Sequence, residues 1–449
     1  MRERKRAHRS YYLSTLTLAG PVVISQLGHT LVQTADTMIV GHFAGTIPLA
    51  AVSLAHSVFM IVLVIGLGIS YGLTPLIAQE NGKSNPIECA KLLSNSFWIN
   101  LISGILLFCL VYYGSMYAMA HTDQDPLVVR EAKPYLLLLS LSIVPLMVFN
   151  TFKQFAEGLG FTRQAMQITI WGNVLNVVIA IILVKGMFGF TPMGIRGVGI
   201  ATLIDRILMM LVMMAYVLRA KYFKKYIQHF NFISLHYNRI KNILRIGMPV
   251  AMQYVFEIGA FAGASLIAGK IGALQQASHQ VAITLAAMTY MMASGIAAAA
   301  TIKVGNSFGN NNLFRLQRFA TVSYHLVLVF MIFTALIFAI FNQQLPLLIS
   351  KDAAVIALSA QLLIIAGLFQ LFDGTQVVGL GVLRGMGDVN IPTLITFIAY
   401  WIIGLPSGYF MGIILNWGIQ GVWYGLTLGL LTSSLLLFLR YRYIVRLQG

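Results

Sequence analysis

The stretch AAVSLAHSVFMIVLVIGLGISYGLTPLIA, residues 50–78, contains no Asp, Glu, Lys or Arg. A helix rises about 1.5 Å per residue, so this stretch more than covers the ~30 Å hydrocarbon core of a bilayer. It is too long for a strand and too apolar for a surface helix. Read outward from it, the chain repeats the pattern. Runs near 14–41, 94–120, 135–156, 166–186 and 198–218 complete a first set of six spans, and 245–269, 275–303, 320–341, 355–380, 392–412 and 421–440 form a second. The expected fold is all-α: a polytopic membrane protein with twelve transmembrane helices in two pseudo-symmetric six-helix bundles. The expected parts are an N-lobe over 1–218, a basic cytoplasmic connecting loop over 219–244, and a C-lobe with a basic tail over 245–449.

Composition agrees. Of 449 residues, 58% are hydrophobic and 10% charged. Mean hydropathy is +0.81. A soluble chain carries about a quarter charged residues, so too little polar surface remains to face water. The net charge of +17 does not read as a nucleic-acid footprint, because the basic residues fall in short connections between apolar runs. With both termini cytoplasmic, 23 of the 30 Lys and Arg lie on the inner side, Lys83, Lys91, Lys153, Arg163 and Arg384 among them. Six fall outside, and Arg206 lies within a span. The positive-inside rule selects that topology and an even number of spans. The basic start, Arg2 to Arg9, precedes an apolar run with no small-residue cleavage site, so span 1 is expected to be retained. Cys89 and Cys109 have no metal or redox spacing and read as unpaired.

The halves repeat. Gly20-Pro21 opens the first and Gly247-Met248-Pro249 the second, an offset of 228 between the prolines. Glu157-Gly158-Leu159-Gly160 faces Arg384-Gly385-Met386-Gly387 at 227, and Gly194-Ile195-Arg196-Gly197-Val198 faces Gly418-Ile419-Gln420-Gly421-Val422 at 224. Six spans per half insert the same way up, so the pseudo-twofold axis follows the membrane normal. Paired bundles of this kind enclose a cavity and alternate its access, which points to a transporter.

Charges at mid-span cost roughly 2.5–3.5 kcal/mol on insertion scales and mark functional candidates. Glu257 lies near the middle of span 7 and Asp373 near the middle of span 10. Two carboxylates in a low-dielectric pocket repel, and a cation or proton between them relieves the repulsion. Asp36 stands late in span 1. Asp205 and Arg206 are neighbours on span 6, point in different directions and need other partners, which suggests a structural role. Glu157 reads as a solvated helix end. Asn176 on span 5 and Thr202 on span 6 suit interhelical hydrogen bonding or a cavity wall. Tyr290 and Gln280 on span 8 suit either packing or an aromatic face for an organic cation. Walker A and His-Glu-x-x-His motifs are absent, and Gly379-Leu380-Gly381-Val382-Leu383-Arg384-Gly385 ends an apolar helix instead of following a strand. An ion gradient, not ATP, is the expected energy source, and no enzymatic activity is expected.

Gln33-Thr34-Ala35-Asp36-Thr37 in span 1, the acidic span 7, and Asp373 followed by Leu383-Arg384-Gly385-Met386-Gly387-Asp388 together resemble the MATE (multidrug and toxic compound extrusion) family, over essentially the whole chain and closest to its NorM-like branch. The resemblance implies a V-shaped pair of lobes in the bacterial inner membrane, a monomer with no cofactor, exporting lipophilic organic cations by antiport with Na+ or H+. It implies coupling roles for Glu257, Asp373 and Asp36, Na+ held by Glu257 and Asp373, and a substrate cavity using Tyr290, Gln280, Asn176 and Thr202. The chain departs from archaeal members at Ala180, where they carry an Asp. Asp36 is then the only carboxylate of that N-lobe site, which favours the C-lobe pair as the coupling site. The alternative is a lipid-linked oligosaccharide flippase of the same superfamily. Its anionic cargo needs a basic cavity, whereas four of the five charges deep in the spans are acids.

Overall fold

A computed structural model describes residues 2–121 and 126–448. Twelve helices among them are long and apolar enough to cross a membrane: Arg9–Phe43, Ile47–Gly82, Pro86–Tyr117, Pro126–Gly158, Thr162–Lys185, Ile195–Arg219, Tyr237–Ile271, Ala273–Gly309, Leu313–Ile340, Ala353–Gly385, Asn390–Ile414 and Gly418–Gln448. These are spans 1–12. Most run past the limits read from hydropathy, because a helix continues into the polar zone where its apolar run stops.

Local chemistry ends the spans where it should. Gly186 takes the left-handed conformation (φ 73°) after span 5 and receives the last helical turn. The Asn312 side chain accepts from the Arg315 amide at 2.9 Å and caps span 9. Asp352 accepts from the Ala354 amide at 2.8 Å and from that of Val355 at 3.2 Å, capping span 10. The outer faces stay apolar. Val329, Phe333, Leu336 and Ile340 form an exposed stripe at helical spacing on span 9, a surface that only lipid covers at no cost.

Two compact units emerge: Ile24–Ala251, and the residues up to Val23 together with those from Met252 onward. The boundaries fall inside spans 1 and 7, each three residues after the proline that opens a half of the repeat, Pro21 and Pro249.

The first unit has one apolar core, built around Tyr135, Phe149, Phe152 and Phe155. The connecting segment packs onto it. Phe223 and Tyr226 are buried, and the Tyr226 hydroxyl donates to Asn81 Oδ1 at 2.7 Å. The Trp98 indole donates to the Phe232 carbonyl. Arg239 grips Glu88 with two bonds of 2.7 and 2.9 Å.

The second unit has two apolar clusters stacked along spans 8 and 10. One uses residues 281–286 and 355–369, with Tyr400 and Trp423. The other uses 293–304 and 377–386, with Leu437. Thr289, Tyr290, Gln370, Asp373 and Gln376 fall in the seam between them. Spans 11 and 12 close the unit backbone to backbone through glycines spaced four apart: Gly404, Gly408 and Gly412 against Gly421, Gly425 and Gly429. A Cβ on Gly425 would strike the Gly408 backbone, and one on Gly429 would lie 3.0 Å from the Gly404 Cα. Small residues at this spacing let membrane helices approach closely. Span 11 also widens into π-helix at Ile398–Gly404 and Phe410–Ile414, a rare geometry that shifts which side chains face inward.

Candidate functional site

The C-terminal seam gathers polar groups from four spans. Glu257 is buried and accepts a hydrogen bond from Tyr290, its neighbour on span 8. Asp373 on span 10 is buried within electrostatic range of Glu257, and its Oδ1 has no hydrogen-bond partner. Two acids and one tyrosine that the sequence singles out are therefore brought together. The structure adds groups that sequence reading passed over. Tyr400, turned inward by the π segment, interacts with both acids and exchanges a 3.0 Å hydrogen bond with Gln376. Gln370 accepts from Thr289 at 3.0 Å, while its Nε2 is unpartnered. Gln370 and Gln376 stand three residues either side of Asp373, so helical spacing already puts all three on one face. Tyr400 carries no such signal, because a π segment breaks the 3.6-residue period.

Gln280 is not part of this cluster. It lies ten residues before Tyr290, about 15 Å along the helix. It is exposed, and its amide reaches Thr284 Oγ1 at 3.5 Å.

Arg384 approaches Glu257 from the end of span 10. Its guanidinium donates to Gln253 Oε1 at 3.3 Å and lies 6.0 Å from the Tyr254 ring. It also interacts electrostatically with Glu257. Gln253 is held in turn by Thr393 Oγ1 at 3.0 Å.

The N-terminal unit holds a different cluster. Asp36 is buried and interacts with both Arg206 and Asp205. Oδ1 of Asp36 and Oδ1 of Asp205 are both unpartnered. Arg206 donates to Ser142 Oγ at 2.6 Å and stacks 5.2 Å from the Phe59 ring. It makes no ion pair within 4.0 Å with its neighbour Asp205, as adjacent helix positions require. Asn176 donates to Thr202 Oγ1 at 3.3 Å and keeps an unpartnered Oδ1. His56 and the Tyr135 hydroxyl share a 2.7 Å bond. Asn176 and Thr202 thus belong to one unit, and Tyr290 and Gln280 to the other.

Two residues differ from their sequence reading. Glu157 is not a solvated helix end: it is 5% exposed. Lys153, counted with the inner-side charges, is also 5% exposed, inside span 4. Lys153 Nζ lies 4.0 Å from Glu157 one turn on and donates to Ser25 Oγ at 3.3 Å. Burial of one charge one turn from its opposite explains both, since neither is tolerable alone in a helix interior.

A cation would meet oxygen donors in the C-terminal seam: two carboxylates, two phenols and two amides. Hard monovalent ions and organic cations both accept such a set. Among the described residues no group of three or more His, Cys, Asp or Glu gathers as a metal-binding cluster.

Comparison with known proteins gives consistent results. The MatE family model matches twice, over residues 21–182 and 249–410, and the two matches are displaced by the same 228 residues as Pro21 and Pro249. The chain is 33% identical over 436 residues to multidrug resistance protein MdtK of Yersinia pseudotuberculosis serotype O:1b (strain IP 31758), covering 96% of this chain and 95% of that protein. It is 32% identical over 435 residues to the MdtK of Yersinia enterocolitica serotype O:8 / biotype 1B, with the same coverage. Among solved structures, a MATE transporter in the bent conformation superposes with a TM-score of 0.89 at 20% identity, covering 97% of this chain and 95% of that one. The eukaryotic MATE transporter AtDTX14 superposes at 0.87 and 20%, covering 97% and 96%.

Proposed function

This chain belongs to the MatE family, and from that membership we propose that it is a multidrug efflux transporter exporting lipophilic organic cations by antiport with Na+ or H+. The MdtK relatives, named for multidrug resistance, support the export of drugs. The observation that carries the cationic part is the seam: Glu257 and Asp373, buried together, with Asp373 Oδ1 unpartnered. Buried like charges favour any cation that joins them.

In the proposed cycle the outward-open protein takes Na+ or H+ at Glu257 and Asp373, which displaces bound drug. The inward-open protein releases the ion and collects drug. Coupling needs each ligand to bind the two conformations unequally, and competition for one pair of acids supplies that inequality. Tyr290 and Tyr400 offer ring faces to the organic cation. Asn176 and Thr202 in the N-terminal unit, and Gln280 outside the acidic seam, are the further candidates for contact with the drug. Asp36 is a separate element of the N-terminal unit. An anionic lipid-linked cargo would call for a basic site, and these acids argue against it. The location is the bacterial inner membrane, with both termini cytoplasmic and the protein a monomer.

The test is efflux of a fluorescent lipophilic cation from proteoliposomes, with the Na+ and proton gradients imposed one at a time. One of the two gradients should drive efflux, and Glu257→Gln or Asp373→Asn should abolish it. Wild-type rates in both variants would sink the scheme.

A further inference from the structure

The repeat places a buried lysine and a half-buried arginine in matching company. An offset of 228 carries Ser25 onto Gln253 and His29 onto Glu257. In the N-terminal unit Lys153 donates to Ser25 Oγ at 3.3 Å, and in the other unit Arg384 donates to Gln253 Oε1, also at 3.3 Å. Each cation is thus tied one turn from the repeat-related position, and each acts electrostatically on the residue there: Lys153 on His29 and Arg384 on Glu257. The cations come from helix positions one turn apart, since Arg384 matches Glu157 and not Lys153. The tie is common to both lobes, while the residue beyond it is an imidazole in one and a carboxylate in the other.

We propose that Arg384 is a tethered internal cation that competes electrostatically with transported cations at Glu257, weakening their binding enough for release. This rests on the reading of Glu257 as a cation-binding acid. Glu257 is faced by Tyr290, Asp373, Tyr400 and Arg384, and Arg384 is the one base in that set. A carrier site must bind firmly enough to load and weakly enough to unload. Two buried acids alone would hold a cation too well, and a fixed positive charge nearby lowers that affinity without occupying the site. Gln253 and the Tyr254 ring fix the guanidinium near Glu257, and Asp388, four residues on, is anchored by Arg440 at 2.7 Å. Arg384 Nε is buried and makes no hydrogen bond. Lys153 has Glu157 beside it and faces a histidine, so it does not share the role. Arg384 is a positioning residue: it acts on the ligand through the field at Glu257.

The test is binding of tetraphenylphosphonium, whose charge is fixed at all pH values, to the purified full-length protein, with Na+ and protons as competitors. One unit charge about 12 Å from the bound cation at an effective dielectric near 20 changes affinity by roughly tenfold. Arg384→Gln should bind the probe about tenfold more tightly and lower the half-saturating concentration of the competing ion, with slower maximal efflux. Arg384→Lys, which keeps the charge, should restore near wild-type values, a rescue that a purely structural role would not give. Lys153→Gln should leave probe affinity unchanged. Unchanged or weaker binding in folded Arg384→Gln overturns the proposal, as does equal tightening by Lys153→Gln. If Arg384→Gln does not fold, Gln253→Leu unties the guanidinium while keeping both charges. It should change affinity about two- to fourfold, and no change there counts against the proposal. Glu257→Gln separates the premises: normal probe affinity in that variant defeats the reading of Glu257 itself, whereas lost affinity beside an inert Arg384→Gln defeats only the tethered cation.

Discussion

Spans 5 and 6 pack in one unit as spans 11 and 12 do in the other, yet the two crossings are filled by opposite means. In the C-terminal pair Gly404 and Gly429 meet backbone to backbone. The repeat-related positions in the N-terminal pair are Asn176 and Asp205, with Thr202 one turn before Asp205. Along spans 1 and 7 the asymmetry reverses: His29 stands where Glu257 stands, and Asp36 has only Ala264 opposite. One duplicated backbone therefore carries polar chemistry at different helix pairs in its two copies. The glycines hold the C-terminal crossing shut, and the acids sit in the seam of spans 7, 8 and 10. The N-terminal crossing carries polar side chains at those positions instead, and Asn176 bonds Thr202 across it. Duplication supplied the scaffold, and divergence at single positions supplied the chemistry.

The sharpest way to break this comparison is to neutralise matched positions. Glu257→Gln should lower ion-driven efflux by about 100-fold or more, equivalent to roughly 2.7 kcal/mol, while His29→Gln should stay within about threefold. Initial efflux rates at matched protein levels decide it. Equal losses would mean that the two lobes share the coupling work.

The second contrast is one of stability. Gly425→Val places a branched side chain on the Gly408 backbone and should cost about 3 kcal/mol or more, the upper range for overpacking. Its repeat counterpart Ala201 already carries a Cβ in a buried site, so Ala201→Gly should cost about 1 kcal/mol. Thermal unfolding in detergent, read as Tm, would rank them. A smaller loss for Gly425→Val would show that spans 11 and 12 separate easily.

Much of this architecture is legible in the order of residues alone. Charge-free runs such as residues 50–78 set the number of spans, because a bilayer leaves the backbone few alternatives. A constant offset reveals the duplication, and the family model finds it at 228 as well. Glu257, Asp373 and Tyr290 are recognisable as rare polar groups at mid-span. The features that escape such a reading are those that linear spacing cannot encode. Tyr400 enters through π-helix, Lys153 and Glu157 are buried by tertiary packing, and Arg384 reaches Gln253 across 131 positions of sequence. Glycine spacing in spans 11 and 12 is readable as a pattern, but its partner helix is not.

A third, smaller effect concerns Asp36. Its neighbours include Arg206, tied to Ser142, as well as Asp205, so the negative charge is already partly offset. Asp36→Asn should lower efflux about tenfold without changing which ion drives it. A switch of the driving ion in this variant would move the coupling site to the N-terminal unit.

The smallest effect separates cavity wall from packing at Asn176. Its amide gives one 3.3 Å bond to Thr202, and such interhelical bonds are worth about 0.6 kcal/mol on average. Asn176→Ala should therefore lower Tm by only about 1–3 °C. Packing alone would leave efflux untouched. A cavity role predicts about a threefold rise in the half-saturating drug concentration with maximal rate unchanged, because Asn176 Oδ1 is unpartnered in the protein and is the atom a bound ligand would lose. Measuring that concentration for two drugs, one with a hydrogen-bond donor and one without, sharpens the result. Only the donor-bearing drug should be affected if Oδ1 contacts it. An equal change for both would place the effect in the spacing of spans 5 and 6, where the N-terminal half carries polar groups and the C-terminal half glycines.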